Sequence, residues 1–214
     1  VLILLLSAIQ ANIPVKLFEI QHLTPGITVF GLAFMSLFSA TIIAKDRGSS
    51  LLQRLYTTPL TARDFILGYT LPIIPISIGQ CVICYIAAIV LGLDITVNIL
   101  YAVVFIIPVS VLYIALGLLC GSVLNDKQVG GICGALLTNV SAWLSGIWFD
   151  LDLVGGTFKK IAYALPFVHA VNLERAVLVG NFTHALPDFL WVMGYAVVIL
   201  LVAVLLFLRQ MKRQ

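Results

Sequence analysis

The stretch VNILYAVVFIIPVSVLYIALGLLCGSVL, Val97 to Leu124, contains no Asp, Glu, Lys, Arg or His. A helix rises about 1.5 Å per residue and a bilayer core is about 30 Å thick, so about 20 apolar residues cross it. This run is longer than that. It lacks the alternation of a barrel strand, and backbone in lipid must satisfy its hydrogen bonds within its own segment. The run therefore reads as a transmembrane helix. Four more apolar, uncharged runs accompany it, roughly Gly26 to Ala44, Phe65 to Leu93, Val129 to Phe149 and Phe189 to Leu208. The fold class expected is all-α, a polytopic transmembrane helical bundle with five spans.

Composition agrees. Of the 214 residues, 62% are hydrophobic and 10% charged, and the mean hydropathy is +1.14. A soluble domain carries roughly 25% charged residues. The net charge of +3 is small, and the basic residues form no stripe with interleaved aromatics, which argues against a nucleic-acid partner. All four cysteines, Cys81, Cys84, Cys120 and Cys133, lie inside apolar runs. That is the setting of inert packed thiols rather than of a metal or redox site.

The basic residues give the orientation, because loops rich in Lys and Arg stay cytoplasmic. Eight of the 12 fall on one side (Lys45, Arg47, Arg54, Arg63, Lys127, Arg209, Lys212, Arg213) and four on the other (Lys16, Lys159, Lys160, Arg175). The Lys45 to Arg63 loop, the Asn125–Lys127 turn and the C-terminal tail are thus expected inside. The segment from Asp150 to Asp188 is expected outside, with Lys159, Lys160 and Arg175 at the headgroup level. Val1 to Ile9 is apolar but too short to span. Residues 1–25 read either as an external segment or as the end of a truncated first span, so that a sixth span is expected upstream.

Two glycine pairs one turn apart, Gly117 with Gly121 and Gly130 with Gly134, read as close helix packing. Pro72, Pro75 and Pro108 should kink two spans. No span carries an ionisable group of the kind an ion-coupled carrier uses. No phosphate-binding loop is present, and no nucleophile and base suggest a hydrolase. The chain is read as no enzyme, with no catalytic, metal or cofactor residues.

The inner loop is the informative one. From Lys45 to Leu60 it reads as a short amphipathic helix, with Ser49 or Ser50 as cap, Leu51, Leu52 and Leu55 on one face, Gln53, Arg54 and Thr57 away from it, and Pro59 as stop. Such a helix either lies on the headgroups or docks a cytoplasmic partner.

At these residues the chain resembles the type-2 ABC transporter permeases. The landmarks are Pro25-Gly26-Ile27 opening a span, Arg54-Leu55-x-x-Thr58-Pro59-Leu60, Ile66-Leu67-Gly68, Leu144-Ser145-Gly146-Ile147, and Leu165-Pro166-Phe167 followed by Gly180-Asn181. They run in family order over about residues 25–214. Where members often carry Glu-x-Gly-Thr-Leu-Glu, this chain has Gly48-Ser49-Ser50-Leu51-Leu52-Gln53.

The resemblance implies a permease transmembrane domain over 26–214, a coupling helix at about 47–60 and external re-entrant helices at about 150–188. It implies an exporter subunit in a multi-pass cell membrane, expected to be a prokaryotic plasma membrane, paired with a second permease copy as homodimer or heterodimer. ATP and Mg would belong to a separate ABC ATPase subunit. The docking set it implies is Arg47, Ser50, Leu51, Gln53, Arg54, Leu55, Thr58 and Pro59. Phe34, Phe38, Trp143 and Trp148 are aromatic candidates for the substrate path, and also suit the core or the lipid interface. The rival readings are a membrane anchor that recruits a cytoplasmic partner without transport, and a secondary carrier.

Overall fold

A computed structural model describes residues 2–5, 7, 19–48 and 62–211; in what remains, the side chains of Ala62, Arg63, Phe65, Leu208, Gln210 and Met211 are also left aside. The described residues form helices joined by short turns, with no strand among them. In chain order the helices are α1 (Ile20–Gly48), α2 (Ala62–Thr70), α3 (Ile73–Val90), α4 (Val97–Val123) and α5 (Asp126–Val129), then a π-helical segment (Gly130–Leu137). After it come α6 (Thr138–Leu144), α7 (Leu151–Val154), α8 (Gly156–Ala164), α9 (Pro166–Val179) and α10 (Phe182–Met211). Among the described residues, four stretches are long and apolar enough to cross a membrane: Ile20–Gly48, Ile66–Val90, Val97–Val123 and Phe182–Phe207.

The fifth expected span is built differently. Instead of one helix from Val129 to Phe149, the chain runs through α5, the π-helical segment and α6, then leaves helical geometry at Ser145, with Gly146 at φ 67°. The three pieces together reach roughly 28 Å at about 1.5 Å per residue, so they come close to bilayer thickness. The π geometry frees backbone groups that local side chains take up: the Thr138 hydroxyl donates to the Cys133 carbonyl at 3.0 Å.

The Phe65 to Leu93 run breaks where its prolines predict. Leu71 and Pro72 form the turn between α2 and α3, because Pro72 has no N–H to offer. Pro108 stays inside an unbroken α4.

The helices run alternately up and down. Gly117 of α4 faces Ser36 and Ser39 of α1, and Gly121 faces Ala40 and Ile43, so α1 and α4 run parallel. Between the ends of α1, Gln80 of α3 donates from Nε2 to the Thr28 carbonyl, and Tyr69 of α2 reaches Asp46, so α2 and α3 run the other way. The chain α5 to α6 climbs back, and α10 descends beside α4, with Phe105 and Phe189 edge to face at 5.9 Å. One end thus gathers Gly48, the start of α2, the Leu124 to Lys127 turn and the end of α10. The other gathers the start of α1, the α3–α4 turn and everything from Ser145 to Asn181. Lys45, Arg47 and Lys127 share the first end, and Lys159, Lys160 and Arg175 the second, as their loop assignment requires.

α1 and α4 form the centre. Leu32, Ala33, Ile106, Val109, Leu112 and Tyr113 are buried there, and the small residues facing across allow the approach. Large apolar side chains on α3 and α10, including Ile83, Ile86, Leu190 and Leu201, stay exposed, which suits a lipid-facing surface.

Candidate functional site

The residues expected to dock a partner, Ser50, Leu51, Gln53, Arg54, Leu55, Thr58 and Pro59, lie outside the described residues. Their anchors do not. α1 ends at the loop and α2 begins after it, and both are tied into the bundle. The Tyr69 hydroxyl donates to Asp46 Oδ2 at 2.8 Å, bridging α1 and α2. Arg47 Nη1 donates to the Gly121 carbonyl at 2.8 Å and the Leu124 carbonyl at 3.4 Å.

Arg47, expected in the docking set, also serves as a cap: the last carbonyls of α4 have no partner within their own helix, and a cation there meets the negative end of the dipole. Beside it Asn125 and Gln128 form a reciprocal capping box, Gln128 N–H to Asn125 Oδ1 at 2.9 Å and Asn125 N–H to Gln128 Oε1 at 3.2 Å. This box starts α5. A cleft of about 680 Å³ opens between Ala44, Lys45, Arg47 and Gly48 on α1 and Leu124, Asn125, Asp126 and Lys127 on the turn.

Of the glycines expected to pack, Gly117 and Gly121 sit against α1 backbone. A Cβ on Gly117 would lie 2.4 Å from the Ser36 carbonyl oxygen, and one on Gly121 2.8 Å from that of Ala40. Gly134 faces the end of the Leu37 side chain, at 3.3 Å. At Gly130, among the described residues, nothing lies within 4 Å of the Cβ position. In this stretch Val129, Cys133 and Gly134 turn toward α1, and Gly130 points elsewhere. Gly31, which drew no notice in the sequence, leaves the space that the Gln80 amide fills.

The aromatic candidates divide. Phe34 and Phe38 are each 47% exposed and Trp143 57%, whereas Trp148 packs edge to face on Phe30 at 5.9 Å. Gly131, Ala135 and Asn139 on the neighbouring π-helical segment and α6 are exposed too. Asn139 carries an exposed amide on this largely apolar span, and among the described residues it bonds the Ala135 carbonyl, one turn back, at 2.7 Å.

At the other end three family landmarks converge. Gly26 sits under Ile147, with its Cβ position 3.2 Å from Cγ1. Arg175, from α9, donates from Nε to the His22 carbonyl at 3.3 Å and from Nη2 to the Gly146 carbonyl at 3.2 Å. Arg175, expected at the headgroups, is a clamp across α1, α9 and the turn after α6, where the Gly146 carbonyl lies outside any helix. Gly180, at φ 81°, closes α9 in the left-handed conformation, and the Asn98 amide donates to the Leu178 carbonyl at 3.1 Å in the space a side chain at 180 would fill. Lys159 pairs with Asp152 on the surface.

His169 of α9 forms a second lock. Its Nδ1 lies 2.5 Å from Asp188 Oδ1, its Nε2 3.0 Å from the Tyr163 carbonyl, and its ring stacks on Trp191 at 5.0 Å and 3°. A carboxylate and a carbonyl both accept, so this pair of partners favours the imidazolium form of the ring. Burial lowers its pKa, while the Asp188 hydrogen bond, the Tyr163 carbonyl and the Asp188 charge raise it, and the balance lies above the ordinary histidine value. A raised folded-state value means that the pair stabilises fully below about pH 6.5 and loses that contribution as pH rises through the folded value. Thermal unfolding of the purified protein between about pH 5 and about pH 9 is expected to show wild type losing its margin over Asp188→Asn as pH rises. Parallel curves would show the pair to be energetically idle.

The arrangement defines a class before it defines a family: a multi-pass helical membrane protein with a cleft and a loop anchored at one end and a clamped cap at the other. A family model described as ABC-2 type transporter matches residues 1–179. The chain belongs to that family, and is the membrane-spanning permease part of an ABC-type transporter. No curated protein and no solved structure matches it.

Proposed function

We propose that this permease is an exporter subunit, driven by a separate ATPase that docks at the Arg47 end and working as a pair with a second permease copy. The observation that carries the reading is the anchoring of loop 49–61. Asp46–Tyr69 ties its two flanking helices to each other, and Arg47 ties α1 to the end of α4. A push on the loop therefore moves α1, α2 and α4 together, where a headgroup-lying helix would need no such ties. Four of the eight basic residues assigned inside, Lys45, Arg47, Lys127 and Arg209, flank or face that end, which supports a cytoplasmic docking face.

ATP and Mg would be bound by the partner, and the permease contributes the pathway. The pairing is supported by Asn139: an exposed amide in a lipid-level span is costly unless another protein surface covers it. Phe34, Phe38 and Trp143 would then lie at or near the contact between copies, where apolar cargo meets them.

Two measurements test the proposal. A cysteine placed at Thr57 should react with a membrane-impermeant thiol reagent in inverted vesicles only, and the tagged permease should co-purify with the ATPase of its own cell in a stoichiometric complex. Labelling from the outside overturns the orientation. Correct labelling without any ATPase would leave a membrane anchor in place of an exporter.

A further inference from the structure

Glu174 stands apart from the other acidic residues. It lies in the middle of α9, which packs on α1, α4, α6, α8 and α10, it is fully buried, and among the described residues neither of its carboxyl oxygens has a hydrogen-bond partner. Arg175 is no counter-ion, since adjacent residues on a helix face different ways and its guanidinium is turned to His22 and Gly146. Among the described residues, Tyr85 and Cys81, one turn apart on α3, lie within electrostatic reach of Glu174. Both are buried, and among the described residues the Tyr85 hydroxyl also lacks a partner.

The remaining titratable groups around α9 are occupied elsewhere. Asp188 of α10 and the α8 carbonyl of Tyr163 hold His169, Tyr113 of α4 pairs with Ser141 of α6, and His22 of α1 gives its carbonyl to Arg175. Among the described residues no cation bonds to Glu174. A bare carboxylate in such surroundings is far costlier than a neutral acid, and buried carboxyls respond by keeping a proton.

We propose that Glu174 and Tyr85 form a proton-binding site in the interior of the permease, with Glu174 carrying the proton and a buried water joining its carboxyl to the Tyr85 hydroxyl. No direct hydrogen bond links the two groups. A protonated carboxyl offers one donor and spare acceptor capacity, a phenol offers one of each, and a water between them satisfies all of these. Burial alone moves the Glu174 carboxyl well above the ordinary glutamate range. The proton can leave only when water reaches the buried carboxyl, so the protonation state reports and biases the opening of the packing around α9. This inference is independent of the cargo and of the motor.

The chain makes the test clean, because it has only two glutamates, Glu19 and Glu174, and Glu19 is exposed. The purified full chain is reconstituted in phosphatidylcholine vesicles with ¹³C-labelled glutamate, and infrared spectra are taken from acid to alkaline pH. A label-sensitive carbonyl band of a protonated carboxyl is expected to persist at neutral pH, to vanish in Glu174→Gln, and to shift in Tyr85→Phe. Absence of the band at neutral pH in wild type overturns the proposal without reference to any variant. Thermal unfolding adds a second readout. A raised folded-state value makes wild type lose stability relative to Glu174→Gln as pH climbs above about 4.3, the unfolded glutamate value, while His169 is common to both proteins and cancels. A rise in melting temperature with sodium or potassium chloride that Glu174→Gln abolishes would make this a metal-cation site instead, and would also overturn it.

Discussion

Gly117→Leu is expected to abolish recovery of a monodisperse, folded permease. The first atom of any side chain at this position would lie 2.4 Å from the Ser36 carbonyl oxygen and 2.8 Å from the Ser39 Cβ. The obstruction is backbone on one side, so α1 and α4 must separate for the residue to fit. Overpacking a tight site typically costs about 1–3 kcal/mol, and here the seam that separates is the centre of the bundle. Gly134→Leu should do less, because what it meets at 3.3 Å is the movable end of Leu37. Gly130→Ala should be neutral or slightly stabilising, since its surroundings are open and alanine is the better helix former by about 1 kcal/mol. Size-exclusion profiles and melting temperatures in one detergent would rank the three. A Gly117→Leu protein as stable as Gly130→Ala would mean that α1 and α4 do not meet at this seam.

Arg54→Glu is expected to uncouple the transporter while leaving it folded. The amphipathic pattern of the loop places Arg54 off the apolar face, where its planar donor fork can engage a carboxylate of the ATPase. Losing a central contact of that kind costs about 2 kcal/mol, or roughly thirtyfold in affinity, and reversing the charge adds repulsion. The readouts are co-purification of the ATPase and transport-stimulated ATP hydrolysis, with Lys212→Glu in the tail as control. Arg47→Ala supplies the contrast: its guanidinium caps α4, so its loss should lower melting temperature more than partner affinity. Normal co-purification and normal hydrolysis in Arg54→Glu would return the loop to a helix lying on headgroups.

How far the chain could be read depended on the range of the interaction. Charge-free runs report the solvent of each segment, a local property, and they located four long helices and the ends at which the basic loops meet. They misplaced boundaries where geometry rather than hydropathy decides, as where the run ending at Phe149 leaves the helix at Ser145 and the final helix begins at Phe182 instead of Phe189. The glycine pairs pointed to close packing, and spacing alone did not distinguish Gly117 from Gly130, because that depends on which side faces α1. The docking residues from Ser50 to Pro59 fall outside the described structure, so they remain an inference from pattern and family resemblance.

Composition, periodicity and loop charge by themselves determined a helical membrane protein with a basic end and the landmarks of its family. Only the tertiary structure decided what individual polar residues do. Arg47 and Arg175 look alike in the sequence, as exposed basic residues beside spans, and become clamps because unpaired carbonyls at helix ends and turns happen to lie within reach. Glu174 looks like one more charge in a polar segment and becomes an interior carboxyl because α9 folds in among α1, α4, α6 and α10. The physical reason is the same in each case: the free energy of a charge is set by the dielectric and the hydrogen-bond partners around it, and those are supplied by chain segments far away in sequence.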